Sequence, residues 1–224
     1  MTKHLDRELQ HLRTSLVEQF GLVERMIQQS VRSLIQRDAG LAGEVIERDE
    51  EVDRADTHIE EECLKLLALH QPVATDMRWL VTVVKANSDL ERMADLACNI
   101  AERSKSLDAY PLYPVPHEIE EMVSIATKMV RDALDAFVER DPAKAVVVIQ
   151  EDDEMDSLNR TVILQLQKTM RESPDNVDPA LHCFSASRHL ERISDLATNI
   201  AEDVIYLVEG TIVRHQHDNF IAPE

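Results

Sequence analysis

The sequence predicts an all-α protein of two tandem three-helix bundles, six long helices in all, and three observations carry that prediction. Glycine is scarce, four in 224 residues, and aromatics make up 4%, so the glycine turns and aromatic strands of a sandwich or barrel are not supported. Long stretches with apolar residues at three- and four-residue spacing run between short polar breaks. The chain also repeats itself: LERMADLACNIAE at 90–102 returns as LERISDLATNIAE at 190–202, changed only at Met93/Ile193, Ala94/Ser194 and Cys98/Thr198.

The first helix is expected over about 5–37, ending before the turn residues of Asp-Ala-Gly. The second runs over about 41–70 and is stopped by Pro72. A third begins near Thr75, where Thr75 and Asp76 are candidate caps, and fades near Ser106. Pro111, Pro114 and Pro116 then break the chain and divide it in half. The fourth helix covers about 117–140. The fifth starts at Asp141-Pro142, since proline is tolerated in a first helical turn, and continues to about 170. A polar break, RESPDNVDP, precedes the sixth, which ends at Gly210 as a C-cap. The resulting units are 1–108, 117–210 and a frayed tail over 211–224.

The second helix of each unit repeats as well. RDEEVDRAD at 48–56 aligns with EDDEMDSLN at 151–159, placing Asp49 opposite Asp152 and Asp53 opposite Asp156. Advancing about 100° per residue from Glu91, Asp95 falls near 40°, Asn99 near 80° and Glu102 near 20°. Leu90, Met93, Leu96, Ala97, Ile100 and Ala101 occupy about 140–280° of the same wheel, the stripe that must meet neighbouring helices. The oxygen-bearing side chains therefore form a row facing away from the core. Glu191, Asp195, Asn199 and Glu202 repeat it on the sixth helix, and Asp49, Asp53, Asp56 and Glu60 share a face of the second. The fifth helix has a shorter row, because Asn159 and Ile163 stand where Asp56 and Glu60 do.

Two such rows side by side crowd carboxylates whose charges repel. Either Arg92, Arg192 and other basic residues reach over them, or a cation binds. Carboxylates with an amide oxygen suit hard ions such as Mg, Ca, Mn or Fe better than Zn, which favours His and Cys. The expected ligands are Glu91, Asp95 and Asn99 with Asp49 and Asp53 in one unit. Glu191, Asp195 and Asn199 with Asp152 and Asp156 make the second set. A row of Asp and Glu at four-residue spacing is ordinarily a solvated face; what argues for more is that both units keep it while Arg103/Asp203 and Lys105/Ile205 have diverged.

Composition narrows the partners. A formal charge of −19 repels nucleic acid and anionic membrane, and favours cations and basic protein surfaces. Cys63, Cys98 and Cys183 are odd in number and far apart, which suits a reducing compartment and neither a disulfide framework nor a Cys-x-x-Cys metal site. The N-terminal residues have no apolar run, and no window approaches the roughly 18 apolar residues of a membrane span. There is no HExxH, no glycine-rich phosphate loop and no nucleophile elbow. Glu8 and His11 form the only Glu-x-x-His, where a ferritin-like di-metal bundle needs two. His215 and His217 in the tail read as incidental, and Trp79 and Phe184 as core or interface residues. No enzymatic activity is expected.

QPVATDMRWLVTVVKANSDLERMADLACNIAE, its companion SRHLERISDLATNIAE, and the two copies of Asp-x-x-x-Asp on the preceding helices together resemble the PhoU family over nearly the whole chain. That resemblance implies a cytoplasmic homodimer whose Glu/Asp-x-x-x-Asp motifs, here Glu91/Asp95, Glu191/Asp195, Asp49/Asp53 and Asp152/Asp156, bind metal ions, in some members multinuclear iron or zinc. It further implies a non-catalytic negative regulator of phosphate uptake and of the phosphate-starvation response. Its partners would be the ATPase of the phosphate ABC transporter and the phosphate-sensing histidine kinase. Many relatives carry Gly where this chain has Ala94 and Ser194, which keeps close helix packing and removes any approach that needs a bare backbone. The alternative is a metal-dependent hydrolase or metal-storage bundle using the same carboxylates on Fe, Mn, Zn or Mg; neither motif holds a His to act as base.

Overall fold

The computed structural model of the chain describes residues 3–211 and 213. Those residues form seven α-helices and one short 3₁₀ turn: α1 Lys3–Gln36, α2 Ala39–Glu47, α3 Asp49–His70, α4 Ala74–Leu107, α5 Glu118–Glu139, α6 Pro142–Glu172 and α7 Val177–Glu209, with the turn at Pro174–Asn176. The tail beyond 213, with His215 and His217, lies outside the described residues.

The long helices are amphipathic, and their apolar stripes fill one continuous core. On α1 the stripe is Leu12, Leu16, Phe20, Val23, Ile27 and Val31, all buried. On α4 Leu90, Met93, Leu96, Ala97, Ile100 and Ala101 are buried as the wheel requires, and so are Leu190, Ile193, Leu196, Ala197, Ile200 and Ala201 on α7. Trp79 is in the core at 3% exposure, whereas Phe184 is 37% exposed on α7.

The first helix of each half ends by the same device. Arg37 and Arg140 take left-handed conformations, φ 57° and 55°. The next amide, from Asp38 or Asp141, reaches back five residues to Ser33 O or Ala136 O at 3.0 Å, as in a Schellman ending. The aspartate then caps the following helix: Asp38 Oδ1 accepts from Leu41 N–H, and Asp141 Oδ1 from Ala143 and Lys144 N–H. Gly210, at φ 75°, closes α7.

Two expectations about boundaries need correction. The second predicted helix is broken at Arg48 into α2 and α3, whereas its counterpart α6 runs unbroken. Gly40 and Gly43 stand in α2 where α6 has Ala143 and Val146, and each glycine weakens a helix by about 1 kcal/mol relative to alanine. Arg48 also reaches back to Gln29 Oε1 at 2.6 Å. Nor do Thr75 and Asp76 cap α4: Val73 is the capping residue, without a side-chain bond. Asp76 lies inside the first turn, where its charge meets the positive end of the helix.

α4 and α7 run antiparallel down the middle of the molecule. Lys85 Nζ binds Asp203 Oδ1 at 2.8 Å and Arg78 Nε donates to Leu207 O; at the other end Tyr110 donates to Asp178. The α4 to α5 linker is tied down by Arg37, whose guanidinium donates to Leu107 O at 2.6 Å and Tyr113 O at 2.5 Å. α3 and α6 pack against α4 and α7, and this is what brings the acidic rows together.

Candidate functional site

Each half sets a carboxylate-bearing helix beside another. In the first groove, burial and then the charges of Asp95, Asp56, Asp53 and Asp49 push Glu91 above the usual carboxylate range. Asp49 is raised by burial and by Asp53 and Asp95, offset by a hydrogen bond from Cys98. Asp56 is raised by burial, Glu60 and Asp53. It also accepts two bonds from the buried Asn87, whose Nδ2 reaches Asp56 O at 2.9 Å and Oδ1 at 2.7 Å. The Cys98 thiol is raised as well, chiefly by burial and then by Asp49, so this sulfur is protonated and acts as a donor rather than a nucleophile.

In the second groove burial, followed by Asp195, Asp156, Glu191 and Asp153, lifts Asp152 to about 7. Its Oδ1 has no hydrogen-bond partner among the described residues. Burial and Asp195 raise Glu191, against the nearby Arg188 guanidinium, whose Nη1 donates to Glu191 Oε1 at 2.7 Å. Asp195 is raised by burial and Asp156, and held down in part by Arg188 and Arg192.

The structure therefore gathers Glu91, Asp95, Asp49 and Asp53 into one neighbourhood, and Glu191, Asp195, Asp152 and Asp156 into another. Asn99 and Asn199 sit one turn further along, half-buried, with no bond to these carboxylates among the described residues. Nor do three or more His, Cys, Asp or Glu converge as a ready metal cage among those residues. The grooves concentrate negative charge without enclosing an ion.

The outward row expected on the sixth helix does not extend to Glu202. Glu102 is exposed and pairs with Arg103, but Glu202 is 6% and its neighbour Asp203 2% exposed. From Ile200 to Ile205 every residue of α7 is buried, and within that stretch Asp203 accepts from Lys85 of α4. Basic cover also differs from expectation: Arg92 turns to Asp89 at 3.7 Å, and it is Arg188, absent from the sequence reading, that pairs with Glu191.

Arg188 stands three residues before Glu191 and so shares its face, a signal open to any helical wheel. Extending the first row from Glu91 back four residues to Asn87, and forward seven to Cys98, finds the other two contributors that were missed. In the second half these positions are Ser187 and Thr198, whose hydroxyls, among the described residues, bond to carbonyls of their own helix.

Fold and grooves together define an all-α protein of two homologous bundles, each with a solvent-facing carboxylate cluster at the meeting of its last two helices. No helix among the described residues is long and apolar enough to cross a membrane. The PhoU domain model matches residues 16–104 and again 119–204, and the chain belongs to that family. It is 39% identical over 216 residues to the phosphate-specific transport system accessory protein PhoU homolog of Pseudomonas putida, covering 96% of this chain and 84% of that one. The crystal structure of PhoU from Pseudomonas aeruginosa superposes with a TM-score of 0.89 at 39% identity, over 92% of this chain and 99% of that one. That of the phosphate transport system regulatory protein PhoU from Streptococcus pneumoniae gives 0.87 at 27% identity, over 93% and 99%.

Proposed function

We propose that this protein regulates phosphate transport as a non-catalytic cytoplasmic adaptor, and that its two carboxylate grooves hold hard metal ions. The name that its relatives carry, accessory protein of the phosphate-specific transport system, supports the first part. The observation that carries the second is the second groove, where the half-buried Asp152 stands beside Asp195, Asp156 and Glu191, and burial and then their charges lift its carboxyl to about 7. Only a proton or a cation relieves that repulsion.

Glu91, Asp95, Asp49 and Asp53 would hold one ion or group of ions, and Glu191, Asp195, Asp152 and Asp156 the other. An all-oxygen donor set favours Mg, Mn or Fe over Zn. The bound charge would neutralise the groove and draw the two helices' carboxylates inward. The first groove has no counterpart of Arg188, since Ser88 stands there, so the two are unequal in cover. In this reading the protein works as a homodimer, contacting the transporter's ATPase subunit and the phosphate-sensing histidine kinase. It passes information by binding one state of each better than the other.

Two experiments test this. Deleting the gene should derepress phosphate-starvation genes in phosphate-rich medium, and an unchanged reporter would sink the regulatory assignment. Chelator-stripped protein should take up Mn or Fe, and a variant with Glu91, Asp95, Glu191 and Asp195 changed to Ala should take up much less. Equal uptake by both would remove the metal assignment. A phosphatase or storage role would show as turnover, or as uptake of many ions per chain, in the same preparation.

A further inference from the structure

Leu112 is 96% exposed, more than any other large apolar residue among those described. A leucine so placed on a loose loop would need no explanation, but the linker between α4 and α5 is braced along its length. Pro111, Pro114 and Pro116 fix their own φ. Tyr110 N–H donates to Leu107 O at 2.9 Å, and Tyr113 N–H to Tyr110 O at 3.1 Å. Arg37 of α1 donates to Leu107 O and Tyr113 O, and the Tyr110 hydroxyl donates to Asp178 of α7. Tyr113 is itself buried. A fixed backbone therefore holds Leu112 in water.

The side chain stands on the rim of a cavity of about 530 Å³. Tyr110, Pro111, Tyr113 and Pro114 wall one side of it. Thr169 and Glu172 of α6, Asp175 of the 3₁₀ turn and Pro179 of α7 form the other. Tyrosine and proline surfaces lose little conformational freedom when covered, and grooves walled by aromatic side chains recur where short protein segments bind. With Leu112 free in solvent at its edge, the cavity is too open to enclose a small ligand. From Pro179 to Asp195 is roughly 24 Å of helix at about 1.5 Å per residue, so this surface is separate from the second carboxylate groove.

Charge decides the occupant. Glu172 and Asp175 are exposed and make no ion pair among the described residues, and no Lys, Arg or His lines the cavity. Two acids without partners beside an apolar wall match a segment that sets Lys or Arg next to leucine or an aromatic side chain. Nucleic acid and anionic membrane are repelled by the chain's formal charge of −19. We propose that this surface docks a basic, apolar segment of a partner protein. It gives the adaptor a point of contact that requires neither metal nor the carboxylate grooves.

The probe is a phage-displayed library of random short peptides, selected on full-length protein and, in parallel, on Leu112→Ser. That side chain lies in solvent, and circular dichroism confirms the variant's fold. Peptides enriched on the parent and not on the variant should pair Lys or Arg with leucine or an aromatic residue. A synthetic peptide of that consensus, labelled for fluorescence polarisation, should bind Leu112→Ser about tenfold or more weakly, the loss of one interface anchor. Glu172→Lys combined with Asp175→Lys should reverse the preference, so that a peptide with Glu in place of each Lys and Arg binds better than the original. No peptide that distinguishes the parent from Leu112→Ser, an acidic consensus on the parent, or an unchanged preference in the folded charge-reversed variant would each overturn the proposal. So would light scattering in which the parent is dimeric and Leu112→Ser monomeric, because a second copy of this chain would then cover the surface. Metal uptake and the gene-deletion reporter are measured separately, so failure here leaves those assignments standing.

Discussion

Replacing Asp152 by Asn should stabilise the metal-free protein, and by an amount that grows with pH. The carboxyl titrates near 3.8 in an unfolded chain and at about 7 in the fold. Between those values the folded state binds the extra proton, so stability falls as pH rises across the window. A rise of about 3 units corresponds to about 4 kcal/mol at 1.36 kcal/mol per unit; water still reaches this groove, and screening reduces the figure to about 2 kcal/mol. Asparagine is neutral in both states and escapes the loss. Asp152 Oδ1 has no hydrogen-bond partner among the described residues, so the substitution breaks no bond there. The variant should match the parent near pH 4 and exceed it by about 2 kcal/mol at pH 8, about 4–8 °C in Tm for a chain of this size. Urea unfolding in chelator at pH 5 and 8 measures it. Comparing variant with parent cancels the other titrating groups, including His182 and His189, whose lowered values give a slope of opposite sign. A variant less stable at pH 8, or a difference that does not change with pH, would refute the crowding on which the metal assignment rests.

Other consequences follow from single contacts. Asn87→Ala should lose about 2–3 kcal/mol, since the buried amide makes two bonds to Asp56. Ser187→Ala, which forfeits only a bond to Phe184 O, should lose about 1 kcal/mol or less, and equal midpoints in urea would contradict this ranking. Asp141→Ala should lower stability by about 1 kcal/mol through loss of the α6 cap, recovered by Asp141→Ser; failure of serine to rescue would deny the capping role. Arg188→Gln should tighten Mn binding to the second groove about threefold by uncovering Glu191, and weaker binding in calorimetry would show that Arg188 organises the site instead.

Much of this architecture was legible in the sequence because helix periodicity and a repeated motif are both local. The apolar stripe from Leu90 to Ala101 is buried as the wheel requires, and Pro142 and Gly210 mark an end each. The motif acids Glu91, Asp95, Asp49 and Asp53 do influence one another, because two rows on adjacent helices of one hairpin have little choice but to meet. What escaped depends on tertiary packing. Glu202 and Glu102 occupy equivalent places in the repeated motif, yet only Glu202 is buried, a difference that no local pattern announces. The break at Arg48 required weighing two glycines against their counterparts in α6. Arg188 and Asn87 lay on faces already drawn, just beyond the repeated thirteen residues, and a longer window would have included them.

The antiparallel seam of α4 and α7 carries a historical implication. Lys85 faces Asp203 near one end, and Tyr110 faces Asp178 near the other, so the two sides are related as the subunits of a twofold pair would be. A half-length ancestor bearing one bundle would have left its small, apolar strip in water until it met a second copy of itself. Fusion of two such genes replaces that encounter with a tether, at an effective concentration on the order of millimolar. Once the halves cannot part, each is free to diverge, and Arg37 can become a brace while Arg140 is left open.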